Sequence, residues 1–157
     1  MADIVSPEQR SRNMSAIRSK NTKPEIYFRK LLFSRGYRYS LNSNQVPGHP
    51  DIYLKKYHTA VFIHGCFWHR HDGCKYAYTP KSRIEFWMKK FTDNQRRDHE
   101  VTRELSAEHI KQLIVWECTI KQMNRNCEKE KEVLGRTEWW GQDGPSWPPP
   151  YSEGIRC

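Results

Sequence analysis

The chain has 157 residues, enough for one domain with a real core but not for two. Lys and Arg total 27 against 18 Asp and Glu, a formal charge of +9 that favours a polyanion as partner. A mean hydropathy of −0.95, with no apolar run near the roughly 18 to 20 residues of a span and no apolar N-terminal stretch, argues against a membrane protein and makes the cytoplasm the expected location.

In chain order, Ser6-Pro7-Glu8-Gln9 opens a first helix, with Pro at the first helical position and Gln9 spaced for a capping box. It runs through Arg10, Arg12, Arg18 and Lys20 with few apolar residues, so it is either a solvated helix or an arm lying along phosphates. Thr22-Lys23-Pro24-Glu25 repeats the signature, and Ile26, Leu31, Leu32 and Phe33 give a second helix a buried face as far as Gly36. Glu25 stands at the third helical position, where a carboxylate is ordinarily a cap.

Strands are expected at Tyr37 to Leu41, Asp51 to Leu54 and Thr59 to His64, the last nearly continuous in apolar residues and therefore central. Ser82 with Glu85 is expected to cap a long helix reaching about His109. Gln112 to Trp116 reads as a fourth strand, and Lys121 to Leu134 as a last helix. From Gly135 the chain is rich in Gly, Pro and Trp, so residues 1–134 read as the domain and 135–157 as a tail. The order α-α-β-β-β-α-β-α predicts an α/β domain around a small mixed sheet.

Residues 64 to 74 read HGCFWHRHDGC and concentrate two cysteines, three histidines and two aromatics in a segment too short to form its own core. Thiolates and imidazoles at this density point to a structural zinc. Cys66, His71 and Cys74 make a compact trio, and the fourth ligand must come from elsewhere. Cys118, just past the fourth strand, is well placed, with Cys127 and Cys157 as competitors. Five cysteines is an odd count, so they cannot all pair within one chain.

Asp51 follows Pro50 at the head of an apolar strand, a placement that resembles the Mg²⁺-binding Asp of nucleases of the restriction-endonuclease-like fold and implies phosphodiester hydrolysis. The acid-spacer-Lys sequel usual on the next strand of such nucleases is missing, because that strand ends Phe62-Ile63-His64. His64 and His69 can supply the acid–base chemistry instead, since imidazole titrates near working pH.

These residues carry a resemblance. From about Arg10 to about Cys118 the chain resembles the very short patch repair endonucleases of bacteria, which nick DNA beside the T of a T:G mismatch. The matching residues are Asn13-Met14, Thr22 and Glu25, Pro50-Asp51, His64 to His71, Glu85-Phe86-Trp87, Lys90, Asn94, Arg97-Asp98 and Val115-Trp116-Glu117-Cys118. The resemblance implies a restriction-endonuclease-like fold with a structural zinc on Cys66, His71, Cys74 and Cys118. It implies a catalytic Mg²⁺ on Asp51 and the main-chain carbonyl of Ile63, with His64 and His69 assisting proton transfer and Glu25 organising metal-bound water. Phe67, Trp68 and Trp87 match aromatics that wedge into the duplex. The helix carrying Arg10, Arg12, Asn13, Met14 and Arg18 matches an arm gripping DNA from the minor-groove side, and Lys90 and Asn94 fall among the DNA-binding positions.

The implied activity is a strand nick 5′ to the T, initiating repair of deaminated 5-methylcytosine, by a monomer on T:G-containing duplex DNA alongside mismatch-repair proteins. The sequence departs from the family pattern at three places. Ile63 stands where Thr can, an extra residue separates His71 from Cys74, and Leu105-Ser106-Ala107-Glu108-His109 replaces a Leu-Gly-Trp connection. The competing expectations are a restriction endonuclease cutting both strands of a perfect site, and a zinc-stabilised DNA-binding module without catalysis. The latter gives Asp51, Glu25, His64 and His69 no task.

Overall fold

A computed structural model describes residues 6–17 and 20–134, so Arg18 and the tail after 134 lie outside the described residues. Two helices, α1 (Pro7–Ser15) and α2 (Lys23–Ser34), precede strands β1 (Ser40–Leu41), β2 (Ile52–Leu54) and β3 (Thr59–His64). The long α3 (Ile84–Ala107), β4 (Lys111–Trp116), α4 (Glu117–Arg125) and α5 (Cys127–Leu134) complete the order. Among the described residues no helix is long and apolar enough to cross a membrane.

The four strands form one mixed sheet, as the sequence predicts, and their order is β1-β2-β3-β4. β1, β2 and β3 pair antiparallel, and β4 joins β3 in parallel after the α3 crossover. That register sets His64 opposite Trp116 and brings the carboxyl ends of β3 and β4 together, the end at which open α/β sheets hold their ligands.

β3 is buried on both faces, and its alternating side chains seed two cores. Val61 packs with Phe28 and Leu32 of α2, Ile52, Leu54, Leu113, Val115 and, on α4, Ile120 and Met123. On the opposite face Ala60 and Phe62 pack with Val46 and with Leu105 of α3. His64, two residues beyond Phe62, shares the α3 side.

Several boundaries differ from the sequence reading, each for a local reason. The Ser6 hydroxyl accepts from the Gln9 N–H at 3.2 Å, but the Gln9 amide turns to Asn13 Oδ1 at 3.0 Å, and α1 stops at Ser15 rather than running to Lys20. α2 is rolled so that Glu25, Phe28 and Leu32 face inward. Ile26 and Phe33 are therefore exposed, with the Arg38 guanidinium over the Phe33 ring at 4.4 Å. β1 is confined to two residues because Tyr37 enters the core instead of a strand. α3 starts without a Ser82–Glu85 cap: Arg83, in the left-handed region, occupies the N-cap position with no side-chain cap bond. The last helix is two, because extended Asn126 breaks it and its Oδ1 accepts from the Glu128 N–H at 2.9 Å, capping α5.

Candidate active site and metal-binding knot

The turn before β2 delivers the acidic residue. Gly48 has φ +78 and lies against Val101 and Phe62, so closely that a Cβ there would sit 2.5 Å from a Val101 methyl. His49 follows, also at positive φ, and Pro50 is buried. Asp51 then emerges with Oδ2 accepting the Ile63 backbone N–H at 2.7 Å, a bond that ties the head of β2 to the end of β3. Burial pushes the Asp51 carboxyl up to about 6, against the pull of that N–H, and the neighbouring Glu25 raises it further. Glu25 is itself buried and accepts from the Asn21 N–H and the Thr22 hydroxyl, each at 2.8 Å. Its cap-like role and its place beside Asp51 are one arrangement.

A cleft of about 430 Å³ opens over these groups, and Ile63, His64, His69, Asn94, Arg97 and Asp98 join Glu25 and Asp51 in lining it. The His64 and His69 rings stack with centroids 3.8 Å apart and planes 9° from parallel. His69 Nδ1–H donates to Asp98 Oδ2 at 2.7 Å, which fixes the tautomer and leaves Nε2 free to accept a proton. Burial, reinforced by His69, pushes His64 down to about 4, so it is a neutral imidazole at physiological pH. Asp98 is a cleft residue to which the sequence alone assigns no role. It sits in the charged middle of α3, and only the fold brings it to His69.

Cys66, His71, Cys74 and Cys118 converge, with all four ligand atoms within 4.8 Å of one another. His71 Nδ1 lies 3.6 Å from Cys66 Sγ and 3.3 Å from Cys118 Sγ. Zinc bonds of about 2.0 to 2.3 Å imply tetrahedral edges of about 3.3 to 3.8 Å, so the donor set fits that ion. The turn is built by the His69 N–H to Gly65 C=O and His71 N–H to Cys66 C=O bonds, both 3.1 Å. The His71 ring lies flat on Trp116, centroids 4.2 Å apart, which orients it toward the sulfurs. Burial pushes the Cys66 thiol up to about 12, whereas the Tyr76 backbone N–H pulls Cys74 down.

The three predicted wedge aromatics come together on the outer side of this turn. Phe67 contacts Trp68 and Trp87 at centroid distances of 5.1 and 5.4 Å, and all three are half-buried. Asn94 Nδ2 donates to the Trp68 carbonyl at 3.1 Å, and Lys90 Nζ lies 5.9 Å from the centre of the Trp68 ring, so these two predicted DNA-binding residues join Trp87 of α3 around Trp68. A second recess of about 500 Å³, sharing Glu25, Ile63 and His69 with the first, runs from Trp68 to Ile17 just beyond α1. Arg10, Arg12, Asn13 and Met14 line neither recess. They ride on α1, which buries none of its residues.

The family model for the DNA mismatch endonuclease Vsr matches residues 2–75. The type II nicking enzyme V.NmeAIP of Neisseria meningitidis serogroup A is 47% identical over 121 residues, covering 77% of this chain and 86% of the relative. The type II nicking enzyme V.XorIIP of Xanthomonas oryzae pv. oryzae is 42% identical over 134 residues, covering 85% of this chain and 98% of the relative. The DNA mismatch endonuclease Vsr of Escherichia coli K12 is 34% identical over 140 residues, covering 89% of this chain and 88% of the relative. With an acidic strand head, a histidine pair and a cysteine–histidine knot at one end of the sheet, the chain belongs to the very short patch repair family of DNA endonucleases.

Proposed function

We propose that this enzyme is a Mg²⁺-dependent nickase that cuts one strand of duplex DNA 5′ to the T of a T:G mismatch, leaving a 5′-phosphate and starting repair of deaminated 5-methylcytosine. The observation that carries the reading is the cleft itself. A carboxylate at the head of β2, a stacked histidine pair and an Asp98 partner meet beside a half-buried aromatic cluster. The same architecture, a mixed sheet with its acid at a strand head, supports a restriction-endonuclease-like fold.

The donors suit the ions. Asp51 keeps one oxygen beyond the Ile63 bond, and Glu25 stands near enough to raise its pKa, so a hard dication relieves their repulsion. Bound there, Mg²⁺ supplies charge neutralisation at the scissile phosphate and at the departing 3′-oxygen. Asp51 and the Ile63 carbonyl are its proposed protein ligands, and Glu25 orients the attendant water.

His69, held by Asp98, presents Nε2 to accept a proton from the attacking water, and neutral His64 packs its ring against it. Cys66, His71, Cys74 and Cys118 hold a structural zinc that fixes the histidines in place. Phe67, Trp68 and Trp87 insert beside the mismatch, where a T:G wobble is easier to unstack than a matched pair. α1, with Arg10, Arg12, Asn13, Met14 and Arg18, grips the minor-groove side. The enzyme acts as a monomer.

Nicking assays on T:G, T:A and C:G duplexes in varied flanking sequence, with and without Mg²⁺, test this. The expected result is one nick, in the T strand, on T:G alone and only with Mg²⁺. Cleavage of both strands of a matched duplex would assign the chain to restriction chemistry instead.

A further inference from the structure

On a protein of formal charge +9, the default role for an arginine in the loop between two site histidines is to bind a phosphate. Arg70 does something else. Its guanidinium lies over the Phe91 ring, 4.2 Å from the centroid, so its charged face is occupied by an aromatic. Its edge is occupied too: Nη1 donates to the Tyr78 carbonyl at 2.9 Å and Nη2 to Thr79 Oγ1 at 3.0 Å. Phe91 and Tyr78 are both packed on Phe67, each with its ring centroid 5.2 Å away. The backbone bends to make this possible, since Arg70 has φ +55, a conformation a non-glycine side chain adopts at a cost.

We propose that Arg70 is a positioning residue for the mismatch wedge. Its planar fork clamps the segment at Tyr78–Thr79 to α3 at Phe91 and thereby closes the aromatic socket in which Phe67 stands. A lysine has neither the plane to lie on Phe91 nor the fork to hold two acceptors. The inference rests on the reading of Phe67 as a wedge and extends it to a residue that touches no DNA.

The test compares Arg70→Gly, which accommodates the positive φ without strain, with Arg70→Lys and Phe67→Ala in the full chain. Zinc content, the slope of log affinity against log salt, T:G over T:A nicking preference, and fluorescence of 2-aminopurine placed beside the mismatch are measured for each. Both Arg70 variants are expected to keep zinc and the salt slope while losing about fivefold to tenfold of the preference and most of the 2-aminopurine signal. A salt slope reduced by about one with preference intact would make Arg70 a phosphate ligand and overturn the proposal. Loss of zinc in the glycine variant, or full rescue by lysine, would overturn it as well. Undiminished preference in Phe67→Ala would overturn the wedge reading itself, a failure distinguishable from Arg70 failing alone.

Discussion

Between His64 and His71 one short turn feeds two sites of opposite chemistry. His64 and His69 stack in the cleft with Asp51 and Asp98, where the donors are hard oxygens and imidazole. Cys66 and His71 approach to 3.6 Å in the knot, where the donors are sulfur and imidazole. Both pairs are five residues apart and offset by two, so a single reversal of the chain presents one pair to each side. The two regions also differ energetically. The knot joins the end of β3 to the start of α4, and the zinc proposed for it would add folding stability on binding. The cleft holds the Asp51 carboxyl and a neutral His64 in surroundings that disfavour their charged forms, an arrangement suited to binding and catalysis.

The largest effect should come from breaking the knot. Cys118→Ser is expected to lose zinc and to lower the melting temperature by more than about 10 °C, read by metal analysis and calorimetry. A folded, zinc-loaded variant would show that Cys118 is not the fourth ligand.

Next in size is Trp68→Ala, which should keep zinc yet lose most of the preference for T:G over T:A. If Trp68 were only packing, its removal would cost about 3 to 5 kcal/mol and leave the preference unchanged. Calorimetry and nicking on the same preparation separate these outcomes.

The cleft should respond in the opposite sense from the knot. With its folded pKa raised to about 6 from 3.8, Asp51 binds its proton more tightly in the native state, so the stability it contributes is present below pH 3.8 and is lost as pH rises to 6. Asp51→Asn retains an acceptor for the Ile63 N–H and should stabilise the Mg²⁺-free protein by roughly 2 kcal/mol at pH 8, and by almost nothing near pH 3.5. Chemical denaturation at the two pH values checks the sign.

Smallest is the arm. Neutralising Arg10, Arg12 and Arg18 should flatten the salt dependence of DNA binding by about 0.9 for each phosphate the arm no longer neutralises, on matched and mismatched duplexes alike. An unchanged slope would make α1 a plain solvated helix.

Local chemistry explains which features are legible in the sequence. The apolar run of β3 and the ligand types of the knot declare themselves, because burial and soft-metal coordination each demand particular residues in a short stretch. Asp98 is opaque: its partnership with His69 depends on where the α3 crossover lays a charged helix, which no local pattern encodes. Ile26 and Phe33 look buried by type and spacing but are exposed, since the roll of α2 is set by Glu25 reaching Asn21 and Thr22 and by Phe28 and Leu32 meeting the sheet. The break at Asn126 does have a signal, a side-chain acceptor two residues ahead of a free N–H, hidden inside a sequence of good helix formers.

That one turn serves a structural soft-metal site and a separate catalytic hard-metal site is tested most directly by nicking of a T:G duplex across a Mg²⁺ titration, using wild-type and Asp51→Asn proteins of equal measured zinc content. The variant is expected to bind the duplex and carry its full zinc but not to nick at any Mg²⁺ concentration, while the wild type nicks with saturable Mg²⁺ dependence. Mg²⁺-dependent nicking that survives in zinc-loaded Asp51→Asn, or zinc lost along with Asp51, would contradict the separation of the two sites.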